Sequence, residues 1–346
     1  KLHPSAAWLP SVRHPDATFA VERSEIGVMM MMQHKAATPT AMPAAETKIK
    51  HDSDESDFVL SSSLDSRLSA APTEADMHAS LQRAMIDRAA RAVDAVPRRG
   101  YVVNPTPIEH LPRLSAFLGG PAIYVKRDDL LPLAGGGSKT RKLDYIVQKA
   151  LDAGADTLVT CGAVQSNHCR LTASAAAREG LDCHLILEER VPGTYDPAAG
   201  GNNYAFKLLG ATTTAVPAGG VPEAEAREMA RLRAEGKRPF FIPGGGSDDL
   251  GSVGYARAAL EIAEYAHEHG AFDAIVTCSG SGGTHAGLVA GLAAAGDSTP
   301  VHGISTRASK DAQATKIHQL ALATSERLRT PSAPPGGGGA AGGAGA

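Results

Sequence analysis

Between Ala122 and Ser305 short apolar runs alternate with longer amphipathic ones. Strand-like runs are expected at Ala122–Lys126, Thr157–Cys161, Cys183–Leu187, Thr212–Val216, Pro239–Ile242, Ala274–Cys278 and Val301–Ser305. Helical periods are expected between them, at Lys139–Ala153, Asn167–Arg178, Asn202–Leu209, Pro222–Glu235, Leu250–His269 and Thr284–Ala295. Parallel strands need long crossovers, and a helix is the usual one. The alternation therefore predicts an α/β fold with parallel sheets and helices on both faces. Ligands in such folds bind outside the carboxyl ends of the strands. Three Gly- or Ser-rich loops fall at those ends, at 135–138, 162–166 and 279–283.

Composition narrows the class. A length of 346 residues suggests about two domains. Aromatic content is only 4% while Ala and Gly abound, which suits close helix–sheet contact. A net charge of -3 makes no electrostatic case for nucleic acid or an anionic membrane as partner. No apolar run approaches transmembrane length. Cys161, Cys169, Cys183 and Cys278 show no CxxC spacing and read as reduced cysteines of an intracellular protein. His168-Cys169 and Cys183-His184 match no zinc pattern, so no metal site is expected.

The two ends read differently from the middle. Residues 1–100 show no sustained apolar period and are expected to be a mostly disordered extension. They hold the run Met29-Met30-Met31-Met32, an acidic cluster from Asp52 to Asp57, and one short helix from Glu74 to Val96. Asp16, Glu22 and Glu25 argue against the acid-poor composition of a transit peptide. The compartment stays open between cytoplasm and organelle. After about Arg307 the alternation stops. A helical stretch, Asp311 to Leu328, leads into an Ala/Gly segment, and 311–346 is expected to be a low-complexity tail.

Three motifs carry chemistry. Gly135-Gly136-Gly137-Ser138-Lys139 delivers a lysine onto the first turn of a helix. A confined lysine beside cationic groups gives up its proton more readily and becomes a nucleophilic amine. Arg141 and Lys142 are the expected neighbours. The bland alternative is a Gly-rich turn with a solvated lysine. A Walker A loop is disfavoured, since it requires Gly where Ser138 stands. Ser279-Gly280-Ser281-Gly282-Gly283-Thr284 joins a strand to a helix and offers backbone N–H groups, hydroxyls and a helix N-terminus to an anion. His285 occupies the place of the last glycine of a dinucleotide fingerprint, so one phosphate is expected there, or simply a tight turn. Gln165-Ser166-Asn167-His168 opens another helix, where capping alone would account for Ser166 and Asn167. An aldehyde for the lysine and one phosphate for the cradle together describe pyridoxal 5'-phosphate.

The chain resembles the D-cysteine desulfhydrase and 1-aminocyclopropane-1-carboxylate deaminase family, of the tryptophan-synthase-β-like (fold type II) pyridoxal-phosphate enzymes. The resemblance runs from about Pro105 to Arg307. Pro105-Thr106-Pro107-Ile108-Glu109, Lys126-Arg127-Asp128-Asp129, Gly136 to Leu143, Gln165 to His168, Pro243 to Ser247 and Ser279 to Gly287 carry it, in family order. Leu187 to Gly193 is similar to the desulfhydrase branch. The resemblance implies a large cofactor-binding domain from 101–141 and 248–310 and a small α/β domain from 142–247. It implies Lys139 as the Schiff-base lysine that later moves the Cα proton. Asn167 would meet the ring 3-oxygen, and Ser166 and His168 the substrate carboxylate or the chemistry. Ser279, Gly280, Ser281, Gly282, Gly283 and Thr284 would hold the phosphate. The implied substrate is a small amino acid and the implied assembly a homodimer. The implied reaction is elimination from D-cysteine, with deamination of aminocyclopropane carboxylate or a sulfo-lyase reaction on L-cysteate as the alternatives. The family usually has Asn where Ser138 stands, which is expected to tune the site. It also continues past Arg307 with further strands and substrate-side tyrosines. On that comparison the C-terminal part of the large domain is expected to be missing, and a remnant that turns nothing over is the rival reading.

Overall fold

The computed structural model describes residues 29–33, 73–306 and 308–330. In chain order the first elements are β1 (Met29–Gln33), α1 (Glu74–Asp94), β2 (Ile108–His110), α2 (Pro112–Leu118), β3 (Ala122–Lys126) and α3 (Lys139–Asp152). There follow β4 (Thr157–Ala163), α4 (Asn167–Glu179), β5 (Asp182–Glu189), α5 (Asn202–Leu208), β6 (Thr212–Pro217), α6 (Val221–Ala234) and β7 (Pro239–Ile242). The last are α7 (Asp249–His269), β8 (Ala274–Ser279), α8 (Gly283–Ala294), β9 (Val301–Ser305) and α9 (Lys310–Arg329).

Two sheets result. One has the order β6-β5-β4-β7 and is parallel throughout. Both its faces are covered, as the continuous apolar runs of β4 and β5 require. Leu158, Leu185 and Leu187 meet α3 and α4 on one side, and Val159 and Ile186 meet Met229 and Leu232 of α6 on the other. The chain moves outward from β4 to β6, then returns to place β7 on the opposite flank of β4. The switch point, and hence the ligand crevice, therefore lies between the carboxyl ends of β4 and β7.

The second sheet, β2-β3-β1-β8-β9, departs from the expected parallel arrangement. Only β8 and β9 run parallel; β1 is antiparallel to both its neighbours, and β2 to β3. The helix between β2 and β3, α2, has only 7 residues, too short for a crossover to a parallel neighbour. The central strand is the methionine run. Met29 and Met31 are buried against Tyr255, Ile262 and Leu288, while Met30 pairs with both Val125 and Val276. The reading of residues 1–100 as mostly disordered is thus corrected for β1, while the helix expected from Glu74 to Val96 is present as α1. The capped α1 helix packs Ile86, Ala89 and Val93 against α7. The acidic run from Asp52 to Asp57 lies outside the described residues.

The tail is also corrected in part. Residues 310–329 form α9, which buries Ile317, Ala321 and Leu328 against α8 and α7. The Ala/Gly segment from 331 onward lies outside the described residues. Among the described residues no helix is long and apolar enough to cross a membrane.

Glycines bring α7 and α8 to near backbone contact. A Cβ on Gly287 would stand 2.2 Å from the Ser252 carbonyl oxygen and 2.6 Å from the Tyr255 Cβ; one on Gly291 would stand 2.5 Å from the Ala256 oxygen. These neighbours are backbone or rigid carbon, so they cannot swing away. Gly287→Val is expected to destabilise the chain by at least about 1–3 kcal/mol, the usual cost of overpacking, read as a lower urea midpoint.

Candidate active site

Lys139 is the first residue of α3. Gly135, Gly136 and Gly137 all have positive φ, and a Cβ on Gly136 would lie 1.8 Å from the Asp129 carbonyl oxygen. Only glycine passes there. The turn sets the lysine inside: it is 3% exposed, and its Nζ donates to the Ser138 hydroxyl at 3.2 Å. Ser138 holds the N-cap position, yet its side chain makes no capping bond. A small cavity of about 20 Å³ joins Ser138 and Lys139 to Thr277, Cys278, Gly280, Ser281, Gly282 and Thr284. The structure thus brings the lysine to the anion loop, as the motifs require.

Arg141 does not serve Lys139 as a cationic neighbour. Residues two apart on a helix point to nearly opposite sides. The Arg141 guanidinium, 1% exposed, donates to Asp128 at 2.8–3.1 Å and to Glu261 at 2.7 and 2.9 Å. Lys126 completes the group through Glu261 at 2.6 Å, while Thr106 and the Tyr255 hydroxyl donate to Asp128 at 2.9 and 2.7 Å. Burial pushes Asp128 and Glu261 up, but Arg141 and Lys126 outweigh it and hold both below the ordinary carboxylate range. Burial acts to lower Arg141, and the two carboxylates reverse that, leaving it well above its ordinary value. This network anchors the floor under α3.

Lys142 does face the site. Its Nζ donates to the Gly245 carbonyl at 3.1 Å and to the Ser247 hydroxyl at 3.0 Å. Ser247 also accepts from the Gly283 amide at 3.2 Å and bonds the Ser281 hydroxyl at 2.7 Å. The loop after β7 is thereby laced to the loop after β8. A Cβ on Gly283 would stand 2.7 Å from Ser247 Oγ and 2.9 Å from Lys142 Nζ. Gly282 has φ of 100° at the N-cap of α8. The donor set is a lysine ammonium, two serine hydroxyls, Thr284 and the amides of a helix N-terminus. It suits a phosphate dianion.

A larger cleft of about 810 Å³ opens at the switch point between β4 and β7. Ser166, Asn167 and His168 line it, with Gly244 and Gly245 on one side and Gly280 and Ser281 on the other. Ser166 caps α4, its hydroxyl accepting from Cys169 N at 3.2 Å. Asn167 Oδ1 accepts from Asn202 Nδ2 at 2.9 Å. Buried His168 places Nε2 2.8 Å from the Thr160 hydroxyl, which itself donates to the Ile242 carbonyl at 2.7 Å. The Thr160 proton is thus committed, so His168 Nε2 carries the hydrogen and donates. Gly280 and Ser281 line both cavities and join the lysine side to the Ser166 side.

Two of the expected phosphate residues lie differently. Ser279 lines neither of these cavities, and its hydroxyl is engaged by His285 Nδ1 at 3.2 Å and Gln313 Nε2 at 2.8 Å. Gly283 offers its amide to Ser247. Ser247, Asn202 and Gln313 were not legible as site residues, because they sit far along the chain from the loops they hold. Ser247 alone had a signal, since it ends the Gly244-Gly245-Gly246 run.

Residues 101–337 match the family model described as pyridoxal-phosphate dependent enzyme. The chain belongs to the pyridoxal-phosphate dependent enzymes, in their fold type II class. Its relatives place it with the D-cysteine desulfhydrase and 1-aminocyclopropane-1-carboxylate deaminase family. It is 42% identical over 234 residues to a D-cysteine desulfhydrase of Salmonella typhimurium, covering 67% of this chain and 71% of that one. It is 44% identical over 242 residues to that of Yersinia pestis, covering 68% and 73%. A crystal structure of an ACC deaminase homologue matches with a TM-score of 0.62 at 33% identity, covering 70% of this chain and 73% of that one.

Proposed function

We propose that this chain eliminates the β-thiol of D-cysteine. One molecule of D-cysteine and one of water give pyruvate, ammonia and hydrogen sulfide. The observation that carries the reading is the convergence of Lys139, the 280–284 loop and the Ser166–His168 helix cap on two cavities that share Gly280 and Ser281. The desulfhydrase relatives, more similar in sequence than the deaminase homologue, support the substrate.

When bound, pyridoxal phosphate supplies an electron sink for the carbanion at Cα. The protein does the rest. Gly280, Ser281, Gly282 and Thr284, with Ser247 and Lys142, would hold the phosphate, and Gly283 would keep Ser247 in place through its amide. Asn167, fixed by Asn202, would meet the ring 3-oxygen. Ser166 would receive the substrate carboxylate at the α4 N-terminus, while His168, whose ring hydrogen goes to Thr160, ties that turn to β4. The Lys139 amine takes the proton from Cα as general base. The electron pair left at Cα forms the Cα–Cβ double bond, and sulfur departs with the Cβ–S pair and takes a proton from solvent; water then hydrolyses the released aminoacrylate to pyruvate and ammonia. Domain limits of 101–141 and 248–310 for the large domain and 142–247 for the small one are part of this reading. So is a homodimer, which sedimentation of the purified chain will test.

Borohydride reduction of the chain with pyridoxal phosphate, followed by peptide mapping and a sulfide assay on D-cysteine, tests the proposal. A phosphopyridoxyl group confined to Lys139 together with sulfide release is the expected result. Adducts scattered over surface lysines would sink the site assignment. A clean Lys139 adduct without sulfide would sink the substrate and turn the search to aminocyclopropane carboxylate and L-cysteate.

A further inference from the structure

We infer that α9 completes the phosphate site, with Gln313 positioning the loop and Lys316 adding charge beside it. The inference rests on the phosphate placement proposed above.

Gln313 stands in the second turn's approach of α9, after the Ser309 cap, and is buried. Its Nε2 donates to the Ser279 carbonyl at 3.1 Å, the Ser279 hydroxyl at 2.8 Å and the Gly280 carbonyl at 3.1 Å. In a trans peptide the N–H points opposite to the C=O. Drawing the carbonyls of residues 279 and 280 toward α9 therefore aims the amides of Gly280 and Ser281 the other way. Those two residues are the ones shared by the two cavities. The same bonds keep two carbonyl oxygens from facing an anion. Without the amide, both carbonyls would seek other donors, and the nearest lie in the loop itself.

Lys316 lies one turn of helix further. Its Cε and Cδ would stand 3.6 and 3.8 Å from a Cβ on Gly282, and it lines the larger cleft with Gly280 and Ser281. The ammonium is thereby kept on the loop side of α9. A positive group at this distance favours a dianion at the N-terminus of α8. Neither residue was expected to act, because both fall in the segment read as tail.

The test compares pyridoxal phosphate with pyridoxal, which differs only in lacking the phosphate. Calorimetric titration of the apo chain gives both affinities for the parent, Gln313→Met and Lys316→Gln. Gln313→Met is expected to weaken pyridoxal phosphate on the order of tenfold while pyridoxal changes less than about twofold. Lys316→Gln is expected to weaken pyridoxal phosphate several-fold, with the loss shrinking as salt is raised. A folded variant of either residue in which the ratio of the two affinities equals the parent's overturns the inference, as does equal weakening of both ligands. If Gln313→Met does not fold, the ratio in Lys316→Gln decides. A parent without the borohydride adduct on Lys139 defeats the cofactor placement instead; an adduct with an unmoved ratio defeats the role of α9 alone.

Discussion

Lys139→Ala will bring D-cysteine-dependent sulfide release down to background. General-base catalysis alone accounts for about 10²–10⁴-fold, and the lost covalent anchor for the cofactor adds to it. The fold should survive the change. Lys139 sits at the first position of α3, where alanine is at home, and its replacement removes a buried polar head. The urea midpoint of the variant is therefore expected to match or exceed the parent's. Lys139→Arg separates charge from chemistry. A guanidinium keeps the positive charge but does not give up its proton, so it cannot act as the base. Both variants should be inactive and folded. Sulfide release by either above background would remove Lys139 from the mechanism.

Arg141→Met will be the most destabilising single change in the site. It leaves Asp128 buried with only the neutral donors Thr106 and Tyr255, and leaves Glu261 to Lys126. Breaking a buried ion pair on one side costs about 3–5 kcal/mol. That is a large share of the roughly 5–15 kcal/mol that separates folded from unfolded chains. The pH dependence gives the change a signature. In the parent, Asp128 and Glu261 are held below the ordinary carboxylate range. Their contribution is complete above that range and is lost as pH falls through the lowered folded values. In the variant Asp128 loses its hydrogen-bonded cation and keeps only the field of Lys126, and desolvation then raises it. Stability tied to that group is present at acid pH and lost as pH rises, the reverse of the parent. The gap in urea midpoint between parent and variant should narrow as pH is lowered from 7 toward 5. A gap that stays constant or widens would show that Asp128 is not the group left exposed to the loss.

Much of the fold was legible because strand and helix periods are local. The strands of the small sheet and the helices around it appear where the apolar periods place them, with ends shifted by a residue or two. The lysine turn and the β8–α8 loop were legible for the same reason, since each is one contiguous run whose glycines permit a backbone that other residues resist. Most misread features were partnerships between distant segments. Met29 to Gln33 carries no alternation of polar and apolar residues, although only the face of Met29 and Met31 is buried. Nothing in four methionines and a glutamine announces pairing with Val125 on one side and Val276 on the other. Ser138 has the residue type and position of a helix cap, yet its hydroxyl goes to Lys139. Arg141 is two residues from the lysine in sequence and on the far side of the helix in space.

The local chemistry was thus written into the chain. A lysine on a glycine turn, an anion loop at a strand end and a capped helix beside it define the cofactor from residue types and spacing. Their assembly into one site was not. It depends on β7 returning to the far flank of β4, on β1 entering the large sheet, and on α9 folding back over the loop after β8. Each of these is settled by burial of apolar surface contributed by segments many residues apart. Periodicity reports the surface that one segment has to bury. It carries no record of which other segment will cover it.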